Sequence, residues 1–241
     1  MRHFYRWTRR LVWMLLILCG VFLCYALMRG RPQDLPWNPL DLAQPPGMFT
    51  GRKLAALTQE PAQCRALLDK AGVEYAAMGA QGSGQCVHSD AVRLKPAKGA
   101  ITYAPASVAP SCPVVAALKM WEWNVLQPAA QRHFGQQVRQ IEHFGSFSCR
   151  RMYGRSSGDF SEHATSDAID IAGFVLADGH RLRVVRDWKG EGKDAQFLRD
   201  VRDGACGLFS TVLSPDYNAA HADHLHLDQA ERGATGWRAC R

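Results

Sequence analysis

Apolar and polar residues follow one another along this chain in three different patterns. From Leu11 to Met28 the sequence is an apolar run of eighteen residues with no charged side chain. At ~1.5 Å per helical residue such a run spans ~27 Å, close to the hydrocarbon core of a bilayer, and it predicts a membrane-crossing helix. Helical spacing then returns between Lys53 and Gly72, through Leu54, Leu57, Leu67 and Leu68, with Pro61 interrupting or restarting the helix. Ser111-Cys112-Pro113 reads as a helix start. Val114, Val115, Leu118, Trp121 and Val125 follow on one stripe, a core pattern, until Pro128 bends or ends the helix. Ala195–Phe209 reads as a further helix.

Strand patterns fill the intervals. Val138–Phe144 and Asp167–Leu176 read as strands, and Asp178-Gly179 turns the second into Arg181–Val185. Shorter strand-like runs lie around Val87 and Ala100–Tyr103, and Leu225–Leu227 makes a last short strand. Residues 30–50 hold five prolines and read as an extended linker. Helices and hairpins in unequal blocks predict an α+β fold with a mainly antiparallel sheet. The expected layout is a basic segment over 1–10, an apolar anchor over 11–28, a Pro-rich linker over 29–50 and a folded domain over 51–241.

Charge changes the picture less than its total suggests. The 241 residues carry 29 Lys+Arg against 22 Asp+Glu, a net +7 that invites a nucleic-acid reading. Six of the basic side chains (Arg2, Arg6, Arg9, Arg10, Arg29, Arg31) flank the apolar run, and the rest of the chain is nearly neutral. The charge therefore reports topology, with the N-terminus in the cytoplasm, and no nucleic-acid partner is expected. A cleaved signal peptide is the rival reading. The run is longer than an ordinary signal core, and Tyr25-Ala26-Leu27-Met28-Arg29 is a poor cleavage site. On either reading the bulk of the chain is exported.

Cysteine usage agrees with export. Cys19 and Cys24 lie in the apolar run, and the remaining six are Cys64, Cys86, Cys112, Cys149, Cys206 and Cys240. An even number in an exported domain suggests up to three disulfides. Nearness in sequence favours Cys64–Cys86, Cys112–Cys149 and Cys206–Cys240. No C-x-x-C pair occurs, which argues against a thiolate zinc knuckle or a thioredoxin-type motif.

The chemistry-bearing residues concentrate in two stretches, SEHATSDAIDI and HADHLHLD. His224 and His226 are two apart on a strand and share a face, with Leu225 and Leu227 on the other. Asp170 projects opposite Ile169 and Ile171. His163 precedes that strand on a loop able to fold back over it. A loop histidine, a strand carboxylate and a histidine from a second strand could converge on one metal, and zinc favours imidazole nitrogen and carboxylate oxygen. His133, His143 and His180 read as surface or satisfied core residues. GRSSG, residues 154–158, fits G-x-S-x-G with Ser156, but no strand-to-helix elbow is expected around it, and a serine hydrolase is set aside.

Together, S-x-H-x6-D and the C-terminal H-x-H resemble the zinc peptidase superfamily of D-alanyl-D-alanine carboxypeptidases, lysostaphin-type enzymes and hedgehog domains. More closely, SCPVVAALKMWEWNVLQPAA, HFGSFSCR, SEHATSDAIDIAGF and VLSPDYNAAHADHLHLD resemble the bacterial extensin-like C-terminal domain family, over roughly residues 60–241. The resemblance implies zinc ligands at His163, Asp170 and His226, and a water-assisting base at His224. His221 completes H-x2-H-x-H. Asp223 matches the place where one branch keeps a catalytic Glu, although strand parity turns it from the metal and ranks His224 above it. Arg150 matches an Arg used for a peptide carboxylate, and Ser161 a hydroxyl two before the first ligand. Ser166 departs from the family, whose members usually have Gly there.

The function implied is a zinc-dependent peptidase, anchored in the inner membrane by one span and hydrolysing peptide bonds of peptidoglycan in the periplasm. Its partners would be peptidoglycan, the lipid bilayer and, if it assembles, other envelope proteins. The alternative is a catalytically inactive, zinc-containing module that binds the wall or helps assemble the envelope.

Overall fold

The apolar run forms one continuous helix, α1 (Arg2–Arg29), in the computed structural model, which describes residues 2–232 and 237–241. Phe4–Ala26 has a mean hydropathy of 1.8 and none of it is buried against the rest of the chain. Its 23 residues are long and apolar enough to cross a membrane or to serve as a signal sequence. The Pro-rich segment that follows, expected as an extended linker, is instead folded into a 3-10 turn over Pro32–Asp34 and further turns closed by its own hydrogen bonds. Leu40 and Leu42 are buried in the main core, and Lys70 pairs with Asp41 at 2.9 Å.

Pro61 acts as the break its position suggests. α2 (Thr50–Ala56) ends in a 3-10 turn, and α3 (Pro61–Lys70) restarts with the proline in its first turn, where the missing N–H costs nothing. A small hairpin follows, β1 (Tyr75–Ala77) paired with β2 (Val92–Leu94). Val87, expected in a strand, is instead exposed just after a 3-10 turn over Gly84–Cys86. β3 (Thr102–Ala104) then leads to α4 (Cys112–Trp121), every residue of which is buried. Pro128 does not end this helix. The chain widens into a π-turn over Glu122–Leu126 and continues as α5 (Gln127–Phe134), which Gly135 closes at φ 63.

The remaining elements build the sheet. They are β4 (Val138–Gly145), β5 (Ala168–Leu176), β6 (Arg181–Arg183), α6 (Val184–Asp187), α7 (Lys193–Ala205), β7 (Thr211–Leu213), β8 (Leu225–Asp228) and β9 (Ala239–Cys240). The strand order is β3-β4-β5-β8-β7-β9, antiparallel except for the β3–β4 and β7–β9 pairs at the two edges. β6 pairs with β5 beyond the end of β8, over Gly173–Val175. Gly173 permits this approach, because a Cβ there would lie 2.4 Å from the carbonyl oxygen of Leu182. The expected α+β class and mainly antiparallel sheet are what the chain forms. The helix expected to reach Phe209 ends at Ala205, and the two- and three-residue strands β9 and β7 carried too little pattern to be foreseen.

Helices pack on one face of the sheet. The stripe of α4 supplies the centre: Trp121 is fully buried, stacks against Phe174 of β5 at 5.9 Å and donates its indole N–H to the carbonyl of Val201 at 2.9 Å. Lys119 and Glu122 are buried beside it. Lys119 Nζ and the Tyr103 hydroxyl each donate to a different Glu122 oxygen at 2.6 Å, which satisfies a charge that would be costly unpaired and ties β3 to the helix.

The disulfides correct the pairing expected from nearness. Cys64 joins Cys112 and Cys86 joins Cys149, while Cys206–Cys240 pairs as expected. The reason is tertiary. α3 packs on the start of α4, so Cys64 meets Cys112 across 48 residues. The 3-10 turn at Cys86 lies against the loop after β4, where Cys149 sits 63 residues away. Cys19 and Cys24 remain free on α1.

Replacing Trp121 by Ala removes the largest buried side chain of α4 and the indole hydrogen bond to the Val201 carbonyl, which keeps only its bond within α7. A loss of about 3–5 kcal/mol in unfolding free energy is expected, read by denaturant unfolding of the full chain.

Candidate metal centre

Two strands set the centre. In the β5–β8 ladder Asp170 is the direct partner of His226. Cross-strand partners have Cβ atoms only about 4.5–5.5 Å apart and point to the same face. Ile169, Ile171, Leu225 and Leu227 alternate with them and are fully buried on the helix side. Asp170 and His226 are thereby pushed to the face away from the main core.

His163 comes from a 3-10 turn over Glu162–Thr165 that runs into β5. The Ser161 hydroxyl caps that turn by accepting from the His163 N–H at 3.4 Å. Ser166 ends it in the left-handed region, at φ 61 and ψ 17. That conformation favours glycine, which accounts for the residue type expected there. Here a fully buried serine holds it, with Oγ 3.3 Å from His88 Nε2. The loop after β4 lies alongside: Ser148 N–H donates to the His163 carbonyl at 2.9 Å, and Ser161 N–H to the Arg150 carbonyl at 3.0 Å. Cys149 fixes this loop through Cys86.

The result is a convergence of donor atoms. His163 Nε2, Asp170 Oδ1 and His226 Nδ1 lie within 4.8 Å of one another. Their separations are 3.2 Å for His163–Asp170, 3.2 Å for His163–His226 and 2.9 Å for His226–Asp170. A tetrahedral ion with metal–ligand bonds of about 2.0–2.1 Å requires ligand atoms roughly 3.3 Å apart, so the donor set fits one. The outward ring nitrogens are already engaged. His163 Nδ1–H donates to the Ser146 carbonyl at 3.0 Å, and His226 Nε2–H to Asp228 Oδ2 at 3.1 Å. Such partners fix ring orientation and the tautomer that faces a metal.

The electrostatics favour positive charge between these groups. Burial alone lowers the His226 pKa, but its bonds to Asp170 and Asp228 outweigh that and hold it at about 9. Burial likewise raises Asp170, and the His163 and His226 contacts reverse this and hold it well below the usual carboxylate range. Around the trio stand two further histidines. His224 Nε2 is 3.4 Å from Asp170 Oδ1, and its Nδ1–H donates to Asp223 at 2.7 Å. His221 Nδ1–H donates to Asn218 Oδ1 at 2.8 Å, and its ring lies 5.3 Å from that of His224. Burial, with His226 and His224 nearby, lowers the His221 pKa to about 4 and keeps it neutral.

All the site residues expected from the sequence therefore lie in one region, in different relations to the trio. Asp223 touches His224 and stands apart from the three donor atoms. Arg150 is joined to the ligand loop through its backbone, and its side chain is exposed with no carboxylate partner among the described residues. Ser156 lies in an exposed bend and forms no strand-to-helix elbow. Sequence reasoning missed Asp228. Its signal was present in the H-x-H-x-D alternation of residues 224, 226 and 228, in which His226 and Asp228 share one face of β8 and His224 immediately precedes the strand.

A family model described as "Extensin-like protein C-terminus" matches residues 62–241. No curated protein and no solved structure matches the chain. The matched span covers all of α3 but its first residue, the whole sheet and every residue of the metal centre, and the chain belongs to the extensin-like C-terminal family.

Proposed function

We propose that this chain is a membrane-tethered, zinc-dependent peptidase that hydrolyses peptide bonds of peptidoglycan, in a stem peptide or a cross-link. α1 would cross the inner membrane with its N-terminus in the cytoplasm, leaving the folded part in the periplasm. The carrying observation is the convergence of His163, Asp170 and His226 donors within 4.8 Å, with the outward histidine nitrogens engaged. Two imidazoles and a carboxylate are a hydrolytic zinc set, with a fourth position left to water. The six arginines flanking the apolar run and three disulfides support export.

Zinc, when bound, would polarise a scissile carbonyl and bring the pKa of its water from about 15.7 towards ~7. The protein's own groups do the rest. A carboxylate can only accept, so the Asp223 contact keeps the His224 proton on Nδ1 and leaves Nε2 bare towards the trio. His224 Nε2 is then the base that takes a proton from the attacking water and returns it to the leaving amine. Asp223 is a positioning residue for that histidine. Neutral His221 stands beside it as a second proton acceptor. Arg150, with no carboxylate partner among the described residues, offers a guanidinium fork to a substrate carboxylate. Ser161 holds the ligand loop through its cap.

Full-length protein in detergent, loaded with zinc and incubated with purified sacculi, is expected to release altered muropeptides, and a His226→Ala variant is expected to release none. Unchanged muropeptide profiles over several wall chemistries would sink the peptidase. If that inactive protein still held one zinc and sedimented with sacculi, the non-catalytic wall-binding module would replace it.

Zinc affinity itself gives two further expectations. Asp228→Asn removes the carboxylate behind His226 and should weaken zinc binding about 10–100-fold in competition with a chromophoric chelator, with little change in thermal unfolding. His226 must lose a proton to bind metal. With its pKa raised to about 9, zinc affinity should climb as pH rises through the neutral range. The expected slope is about tenfold per pH unit while one proton competes. Affinity that stays flat between about pH 6 and pH 8 contradicts this.

A further inference from the structure

α1 ends at Arg29, and Gly30 and Arg31 alone separate it from the 3-10 turn that opens at Pro32. At ~3.3–3.6 Å per extended residue, the chain from Arg29 to Pro32 reaches ~11 Å at most. A bilayer's headgroup layer is itself about 5–8 Å deep on each side of the hydrocarbon core. Whatever folds at Pro32 is therefore held at that layer when α1 spans the membrane.

What folds there is a compact collar. Asn38 Nδ2 donates to the Pro32 carbonyl at 3.1 Å, and Gln33 Nε2 to that of Pro39 at 3.4 Å. Gly47 and Met48 return to the same place. The Met48 N–H donates to Asp34 Oδ1 at 2.7 Å. Gly47 lies so close that a Cβ on it would stand 2.5 Å from the Gln33 carbonyl carbon. Leu40, Leu42 and Thr50 are buried, and Thr50 Oγ1 accepts the Gly47 N–H at 2.8 Å. The collar is thus part of the folded domain and moves with it. A free coil over residues 30–50 would instead let the domain wander roughly 25 Å from the end of α1.

Two large apolar side chains project from this collar. Trp37 is 74 % exposed and Met48 75 %. Exposed apolar residues scattered singly are ordinary, but these two leave one short piece of chain beside the end of an apolar helix. Tryptophan is enriched at headgroup depth, where its ring meets lipid and its N–H meets water. The charges suit the same place. Arg29 and Arg31 are exposed. Of the two acids in residues 30–50, Asp41 is paired with Lys70 and Asp34 holds the Met48 N–H.

We propose that residues 32–49 seat the folded domain on the headgroup layer of the bilayer that α1 crosses. Trp37 and Met48 enter the layer, and Arg29 and Arg31 lie among the lipid phosphates. The inference rests on α1 being a retained membrane anchor, and on neither zinc nor hydrolysis.

The full chain in nanodiscs of phosphatidylcholine and phosphatidylglycerol tests this, with nitroxide quenchers carried on the headgroup or deep in the acyl chain. Cys19 lies in the middle of the apolar run and is free. A dye on it in Cys24→Ala reports whether α1 spans, and the deep nitroxide should quench that dye. The seat is read first without a dye. The chain has seven tryptophans, and Trp37→Phe should lower the fraction of their emission that the headgroup nitroxide quenches. A dye on Met48→Cys, with Cys19→Ala and Cys24→Ala, should be quenched more by the headgroup nitroxide than by the deep one. Both changes fall at exposed side chains and should leave thermal unfolding unchanged. Two results overturn the seat and leave the anchor standing when the Cys19 dye is quenched. One is a quenched tryptophan fraction that does not fall in Trp37→Phe, and the other is a Met48→Cys dye that neither nitroxide touches. A Cys19 dye untouched by the deep nitroxide overturns the anchor and the seat with it.

Discussion

The pairing register of β5 against β8 is the constraint on which the rest of the centre depends. It sets Asp170 opposite His226 and sends both to the side of the sheet away from the helices. A slip of one residue would turn Asp170 and His226 into the core and bring out Ile169, Ile171, Leu225 and Leu227, all fully buried. Apolar packing under Trp121 and Phe174 therefore holds the polar site in place without touching it. The helices serve the chemistry by making only one register affordable.

What the register begins, hydrogen bonds complete. Each histidine near the trio has one nitrogen held: His163 by Ser146, His226 by Asp228, His224 by Asp223 and His221 by Asn218. Rings fixed in this way present a chosen nitrogen inward, so a bound cation would find ligands already oriented. The same surroundings stabilise positive charge, which is why His226 holds its proton to about pH 9 while Asp170 stays ionised far below its usual range. Bulges at Ala172 and Phe144 then break the ladder one step further along, where the regular face gives way to a cleft.

Much of this was legible in the sequence because the periods were clean. The buried stripe of α4 and the alternation of Ile169-Asp170-Ile171 and of His224-Leu225-His226 each announce a face, and parity alone brings Asp170 and His226 to one side. The same parity extends to Asp228, which was readable and passed over. Ser166 stood out as an unusual residue, and its left-handed backbone gives the reason. The disulfides could not be read, because Cys64 meets Cys112 only after α3 has packed on α4. β7 and β9 are too short to carry a period, and β9 is recruited by pairing with β7. His143 looked like an ordinary satisfied histidine, but its buried Nδ1 has no hydrogen-bond partner, which is visible only once its surroundings are built.

X-ray absorption at the zinc edge of the zinc-loaded full chain tests the central claim most directly. One zinc per chain is expected, with nearest neighbours of nitrogen and oxygen alone at about 2.0–2.1 Å, two of the ligands being imidazoles, and with loss of the imidazole scattering pattern in His226→Ala. Sulfur among those neighbours, or a spectrum that His226→Ala leaves unchanged, would contradict it.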